Sequence, residues 1–385
     1  MKLYEEFKPQ GLEVLLLDIK EDPDVVKKAV QERGYSPPVA LDQKGEVMEA
    51  YQVTGTPTVY LVDAEGRLIG RATGARSWDS KEGRQVLQSL LESSAPATTA
   101  MPQQADLSPE TPFLASTAWV SENLQNPQVR LVDLRTPEAY EEGHIPGALY
   151  FDDSQLFTTK EGVSGLLPEV EQLEEALAKL GLGEGVKVVA YDDRDGLKAA
   201  RLFIALDYLG YPQGSLLDGG WKKWVAEGRE VSKEPLQVQP VPFKGKPDPN
   251  KLADAKWILS HLHDPGVKVL DVRSLAEYTG EVVRAYQGGH IPGAVHLEWV
   301  NVLQALPAKG PQDPEIKVLK PLPELRALYE KAGVTPEKEV VVYCQNLIRS
   351  AHTYFVLRSL GYSKVRGYNG GWNEWGNRTD LPIEK

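Results

Sequence analysis

Gly143-His-Ile-Pro-Gly-Ala148 recurs, letter for letter, as Gly289-His-Ile-Pro-Gly-Ala294. Outward from these two turns, the flanking segments repeat in the same order. Arg130-Leu-Val-Asp-Leu-Arg135 is echoed by Val267-Lys-Val-Leu-Asp-Val-Arg273, and Val188-Val-Ala-Tyr191 by Val341-Val-Tyr343. Leu209-Gly-Tyr211 matches Leu360-Gly-Tyr362, and Gly219-Gly-Trp-Lys-Lys-Trp224 matches Gly370-Gly-Trp-Asn-Glu-Trp375. Matches that keep their order mark a duplicated domain. Within each copy, short β-branched runs alternate with helical patterns. Leu131–Leu134, Val186–Tyr191 and Ser215–Leu217 read as strands, and Val170–Leu180 and Ala199–Leu209 as helices. The second copy has strands at Val267–Val272 and Val340–Tyr343, and a helix at Glu324–Ala332 with Pro323 just ahead of it. Alternating strands and helices predict parallel α/β sheets, whose ligand sites lie at the carboxyl ends of strands.

Two stretches read as linkers. Ser93–Asp106 has no apolar period, and Ser232–Asn250 carries five prolines and reads as an extended connector. They divide the chain into 1–95, 107–231 and 251–385. The 385 residues are 41% hydrophobic and 25% charged, a globular composition that excludes wholesale disorder. A net charge of −12 argues against broad nucleic-acid or anionic-membrane binding. It leaves room for a small anionic substrate, because a local site can oppose the global sign. No apolar run approaches the ~20 residues of a membrane span. The opening Met1-Lys2-Leu3-Tyr4-Glu5-Glu6-Phe7 is charged and helix-like rather than a signal peptide. A cytoplasmic location is expected for this chain, and an exported one if a signal precedes Met1. The single cysteine excludes an intramolecular disulfide, a CxxC pair and a cysteine-built zinc site. No metal or cofactor is expected.

That cysteine is placed to react. A strand ends at Tyr343, a helix starts near Arg349 or Ser350, and Cys344 opens the loop between them. Inward-pointing amides and the positive end of a helix favour thiolate over thiol. A lone cysteine is ordinarily a small buried hydrophobe. The repeat supplies a control, because the matching position in the first copy is Asp192. A position that takes Asp in one copy and Cys in the other points into its loop. The same control reads shared features as structural. His144 and His290 tether backbone in their turns. Asp133/Asp271 and Arg135/Arg273 are mainly scaffold, with Arg273 also expected to face the working site. His352, one turn into the helix, reads as packing or surface, and His261 and His263 have no partner pattern. Arg349 lies in the loop, where the first copy is built differently. It is the expected anion-binding side chain, since a guanidinium fork suits an oxyanion. Gln345, Asn346 and Ser350 complete the expected substrate cradle.

The paired Asp-x-Arg strands, both GHIPGA turns, the Tyr-Cys loop running into Arg-Ser, and both GGW segments resemble the rhodanese family, specifically its tandem-domain sulfurtransferases, over about residues 107–385. The resemblance implies two rhodanese-like parallel-sheet domains in tandem, with an inert first copy carrying Asp192-Asp193 where the cysteine would stand. It implies a persulfide on Cys344, a donor such as thiosulfate or 3-mercaptopyruvate, and a cyanide, thiol or thioredoxin-type acceptor. Four residues depart from the family pattern. Leu347 stands where the loops often carry glycine, Gln345 and Asn346 are neutral where thiosulfate-type loops carry a cation, and Glu277 stands where mercaptopyruvate-type enzymes tend to have an arginine. Residues 1–95 are similar to the later part of a thioredoxin-like α/β domain. Thr56-Pro57 falls at that family's cis-proline position and Val62-Asp-Ala-Glu-Gly-Arg67 at its hairpin, while the first strand and CxxC helix start are missing. A docking or dimerisation role is expected for this segment.

Two other functions compete. Cysteine phosphatases and arsenate reductases also set Cys before Arg, but phosphatase loops are one residue longer than Gln345–Ile348. The smaller cradle suits a sulfur better than a phosphoryl group. A non-catalytic sulfur carrier or interaction protein is the other alternative, supported by Leu347.

Overall fold

A computed structural model of the chain describes residues 2–8, 12–45, 47, 48, 51, 53, 55–62, 68–74, 78–80, 83, 84, 87, 88, 111–183, 185–307 and 314–385. The chain divides into two units, Met1–Gln103 and Gln104–Lys385.

In the first unit, helix α1 (Lys2–Phe7) precedes strand β1 (Leu16–Ile19), helix α2 (Pro23–Arg33) and strand β2 (Val39–Asp42), with β1 and β2 parallel. Asp22 caps α2 through the Asp24 amide, and Gly34 ends it in the left-handed region. Strands β3 (Thr58–Val62) and β4 (Leu68–Thr73) pair antiparallel, and the Thr56–Pro57 peptide is cis. The strand expected from Leu12 begins only at Leu16, because Leu15 is exposed and unpaired with β2. The expected hairpin turn 63–66, the expected linker 93–106 and most of the expected helix 78–91 lie outside the described residues.

The second unit holds both copies. The first has strands β5 (Leu114–Ala115), β6 (Val129–Asp133), β7 (Ala148–Tyr150), β10 (Lys187–Tyr191) and β11 (Gly214–Leu217), in the order β5-β11-β10-β6-β7. The second has β12 (Leu252–Ala253), β13 (Val267–Asp271), β14 (Val295–His296), β17 (Glu339–Tyr343) and β18 (Val365–Tyr368), in the order β12-β18-β17-β13-β14. All pairings in both sheets are parallel, and the registers correspond. Asp133 faces Tyr191 in one sheet, as Asp271 faces Tyr343 in the other. Val340, Val341 and Val342 are buried, as a strand covered on both faces requires. Helices α3 (Thr117–Glu122), α4 (Pro137–Glu142), α5 (Val170–Ala178), α6 (Leu197–Tyr208) and α7 (Gly220–Ala226) complete the first copy. Helices α8 (Ala255–His261), α9 (Leu275–Tyr278), α10 (Leu322–Lys331), α11 (Arg349–Ser359) and α12 (Gly371–Trp375) complete the second. Two hairpins the sequence did not suggest, β8–β9 (Thr158–Lys160, Val163–Leu166) and β15–β16 (Leu303–Ala305, Lys317–Leu319), fill crossovers.

The copies share one core. Helix α11 is buried almost all round, because it packs on its own sheet and on α6 of the other copy. Phe203 on α6 meets Phe355 edge-on at 5.2 Å and Phe113 at 5.3 Å. Phe203→Ala is therefore expected to cost about 3–5 kcal/mol, weakening both copies in one transition. Urea unfolding of the full chain by tryptophan fluorescence tests this. A loss confined to one of two separated transitions contradicts a shared core.

The proline-rich connector is extended, as expected, but firmly attached. Val241 N–H donates to the Ala178 carbonyl at 3.0 Å, Lys246 N–H to Leu209 at 2.8 Å and Asp248 N–H to Tyr208 at 2.8 Å. Buried Phe243 packs near Tyr211. The strap runs along the helices of the first copy and fixes where the second begins.

Candidate functional site

The first copy shows what its loop is built to hold. Asp192 follows β10 directly and turns its carboxylate back into the loop. Oδ1 accepts from the amides of Arg194 (2.7 Å) and Gly196 (2.9 Å), and Oδ2 from Lys198 (2.8 Å) and Ala199 (2.9 Å). Four amides converge on one anion, which is a nest completed by a helix start. Burial still pushes the Asp192 carboxyl up, against the pull of those amides.

Cys344 takes the same place after β17. Its Sγ lies 3.4 Å from the Ser350 amide and 3.4 Å from Ser350 Oγ, and it also accepts from the Asn346 amide. Burial pushes this thiol up. The Arg349 guanidinium, then the Ser350 hydroxyl and amide, then the Asn346 amide outweigh it and leave the thiol below its ordinary value. The sulfur is fully buried and yet aimed into its loop, so it is neither plain packing nor freely exposed.

The second glycine of each GGW segment pins the loop from behind. Gly371 has φ +55°, and its neighbour Trp372 donates to the Cys344 carbonyl at 2.8 Å. Gly220, at φ +53°, and Trp221 N–H do the same for Asp192, at 3.0 Å. The GHIPGA turns tether backbone as expected. His144 Nδ1 bonds the Tyr140 carbonyl at 2.8 Å and His290 Nδ1 that of Tyr278 at 2.9 Å, each ring stacked on its tyrosine.

Arg349 reaches the loop, but its fork is engaged. Nη1 donates to Glu277 Oε2 at 2.7 Å and Nη2 to Oε1 at 3.0 Å. Glu277 is buried on α9, where its carboxylate also takes the Ser274 amide and hydroxyl in a capping box. Arg349 is thus held in an ion pair rather than free, and Arg284 Nε also lies 3.4 Å from Glu277 Oε1. The aligned residues of the first copy are Leu197 and Ala139, so cysteine, arginine and glutamate are present or absent together. Glu277, taken from the sequence only as a missing arginine, is therefore the partner of the loop arginine.

Arg273 does not face the working site, and that expectation is corrected. Its Nε donates to both Asp271 oxygens at 3.0 Å, its Nη2 to the Gly289 carbonyl at 2.7 Å, and its guanidinium lies 4.3 Å from the centre of the Trp372 ring. Arg135 repeats this with Asp133, Gly143 and Trp221. Both braces hold their turns to their strands.

The remaining loop residues act mainly through backbone. Gln345 Nε2 donates to the Arg284 carbonyl (3.1 Å) and to Asn373 Oδ1 (2.6 Å). The Asn346 side chain packs on Gly165 of hairpin β8–β9, and Asn373 Nδ2 donates to the Ser164 carbonyl at 3.1 Å. This hairpin of the first copy thus roofs the loop of the second. His352 is packing, as one expectation had it. It is buried against Trp299 and Phe355, and burial lowers its pKa to about 4. No group of side chains fit to hold a metal ion occurs among the described residues.

The Glu277–Arg349 pair makes a pH prediction. Burial opposes the charge of Glu277, but Arg349 and Ser274 outweigh it and hold its pKa at about 2. A depressed carboxyl stabilises the fold above its ordinary value, 4.5, and that contribution disappears as pH falls through the folded value. A shift from 4.5 to about 2 corresponds to about 3 kcal/mol. The stability gap between wild type and Glu277→Gln is expected to be full at neutral pH and to close toward pH 2. Denaturant titrations across that range check it, and a gap independent of pH contradicts it.

A strand-to-helix loop that holds a cysteine sulfur in one copy and an aspartate in the other defines a class: tandem parallel-sheet proteins with one cysteine loop and one aspartate loop. The comparisons give the family. The rhodanese-like domain profile matches residues 116–227 and 254–378, and an AhpC/TSA family profile matches residues 1–70. A thiosulfate sulfurtransferase of Azotobacter vinelandii is 37% identical over 275 residues, covering 71% of this chain and 97% of that protein. A sulfur carrier protein, TtuD, of Thermus thermophilus is 36% identical, covering 71% and 96%. The crystal structure of the 3-mercaptopyruvate sulfurtransferase SseA from Escherichia coli superposes with a TM-score of 0.59 at 25% identity, covering 68% of this chain and 99% of that one. The chain belongs to the rhodanese family, as two rhodanese-like domains in tandem preceded by a thioredoxin-like segment, and its enzyme class is that of the sulfurtransferases. No helix among the described residues is long and apolar enough to cross a membrane.

Proposed function

We propose that the chain moves a sulfane sulfur from thiosulfate, through a persulfide on Cys344, to a thiol or to cyanide. The observation that carries this reading is the Cys344 sulfur accepting loop amides beside Arg349, in the place where the first copy holds a carboxylate. The relatives named thiosulfate sulfurtransferases support the donor.

In the first half-reaction the Cys344 thiolate attacks the outer sulfur of thiosulfate. A new S–S bond forms, the old one breaks, and its electron pair leaves with sulfite. The Ser350 and Asn346 amides hold the negative charge of the persulfide, and the Arg349–Glu277 pair orients the sulfonate oxygens. In the second half-reaction an acceptor thiolate or cyanide takes the outer sulfur and returns the Cys344 thiolate, giving ping-pong kinetics. The second copy (251–385) performs the chemistry, the first (107–231) roofs and braces it, and residues 1–95 serve docking or dimerisation. Arg273 is left out of the substrate contacts.

Intact-mass measurement after thiosulfate treatment tests the reading. One added sulfur on wild type, removed by cyanide, is expected, and an unchanged mass sinks it. The relative named a sulfur carrier supports a second reading, in which the persulfide forms but is handed on without turnover. Steady-state release of sulfite and thiocyanate separates the two.

A further inference from the structure

Helix α6 belongs to the copy that has no cysteine, yet it sends a side chain into the Cys344 loop. Arg201 is about 1% exposed. Its Nη1 donates to the Asn346 carbonyl at 2.9 Å. Its Nη2 donates to the carbonyls of Gly165 (2.9 Å) and Leu156 (2.8 Å), and its Nε to Leu156 (3.1 Å). The Phe157 ring lies 3.9 Å from the guanidinium. Every acceptor is a backbone carbonyl, and among the described residues no carboxylate lies within ion-pair distance of it. A cation buried this deeply without a carboxylate is costly. Burial lowers its pKa to about 9, and the Cys344 sulfur, ahead of Asp153, favours its charged form.

The arrangement runs one way. Counted from the loop, the position of Arg201 is taken in α11 by Thr353, so the second copy sends no guanidinium back. The first loop already holds its anion on four amides. The second holds a sulfur that accepts fewer and longer bonds. The charged groups near that sulfur include Arg349 of α11, with Glu277 of α9 against it and Arg284 Nε 3.4 Å from Glu277 Oε1, and Arg201 of α6, with Asp153 further off. Asp271 of β13 is taken up by Arg273. Arg349 acts on the sulfur by charge and shares Glu277 with Arg284, and Arg201 adds a second cation that has no carboxylate of its own among the described residues.

We propose that Arg201 is a positioning residue for the Cys344 site, through which the first copy clamps the loop at the Asn346 carbonyl and sets a buried positive charge against the sulfur anion. This gives the copy without a cysteine a share in the chemistry. The inference rests on Cys344 being the sulfur-carrying residue.

The test uses Arg201→Gln and Arg201→Lys in the full chain. Cys344 is the single cysteine, so the pH dependence of its alkylation by iodoacetamide, read as added mass, reports this thiol alone, with no donor present. Arg201→Gln keeps hydrogen-bond donors and loses the charge. Its thiolate midpoint is expected to rise by about one pH unit, a tenfold gain in proton affinity. Arg201→Lys keeps the charge and loses the fork, so its midpoint should stay near wild type while kcat falls about tenfold. A wild-type midpoint in folded Arg201→Gln overturns the proposal. If that variant does not fold by near-ultraviolet circular dichroism, Arg201→Lys decides, and wild-type kcat there overturns it. Failure of wild type to gain sulfur from thiosulfate strikes the proposed function instead and leaves the titration standing.

Discussion

Cys344→Ser is expected to lose sulfur transfer by about 10⁴-fold or more, as removal of a covalent nucleophile does elsewhere. The loss follows from how the site activates its nucleophile. Sγ touches the Ser350 hydroxyl and amide and the Asn346 amide, and Arg349 acts on it by charge. All of these stabilise an anion, and none is a base that removes a proton. A thiol held below its ordinary value ionises under such help, but a serine hydroxyl, with its far higher pKa, stays protonated. Serine is close to cysteine in shape, so the fold and the Trp372 bond to the residue-344 carbonyl persist. Unchanged circular dichroism with no sulfite release and no added mass is the expected result. Residual turnover within tenfold of wild type contradicts a persulfide at this position. The reverse substitution, Asp192→Cys, should not create a second centre, because Leu197 and Ala139 stand there for Arg349 and Glu277.

The fold was readable because its logic is local and is written twice. Valine-rich runs such as Val340–Val342 specify buried parallel strands, and the two GHIPGA turns fix how the copies align. Cys344 against Asp192 was readable for the same reason. The partners of the loop were harder to see, because tertiary packing chooses them. Glu277 lies 72 residues before Arg349. The signal for it was present in the joint change to Ala139 and Leu197, two substitutions that only make sense together. Arg273 carried the opposite trap. An arginine near a reactive loop suggests an anion site, but its repeat in Arg135 already marked it as a brace. Arg201 carried no signal at all, since nothing in the pattern of α6 says that its helix will face the other copy. Leu347 departs from the family pattern with φ +62° and a fully buried side chain. The left-handed backbone costs about 1–2 kcal/mol, and deleting a buried leucine costs more, so packing is what keeps leucine there.

The loop carbonyls make Gly371 the other position of large effect. A Cβ on Gly371 would lie 2.6 Å from the Gln345 carbonyl oxygen and 2.8 Å from that of Cys344. Both are backbone atoms, so the loop must move rather than a side chain swing aside. The Trp372 bond to the Cys344 carbonyl and the Asn373 bond to the Gln345 carbonyl then lengthen, and the amides turn off the sulfur. Misplacing reacting groups by an ångström costs about 10²-fold, and Gly371→Ala is expected to lose at least that much in kcat. Backbone strain alone is a competing cause, since Gly371 has φ +55°. Gly361 separates the two. It ends α11 at φ +88° with nothing within 4 Å of its would-be Cβ. Gly361→Ala therefore carries the strain without the collision, and should lose about 1 kcal/mol of stability and keep its turnover. If both alanines impair turnover equally, strain rather than the collision with the loop is responsible. If Gly371→Ala alone does, the GGW turn is what holds the sulfur in its cradle.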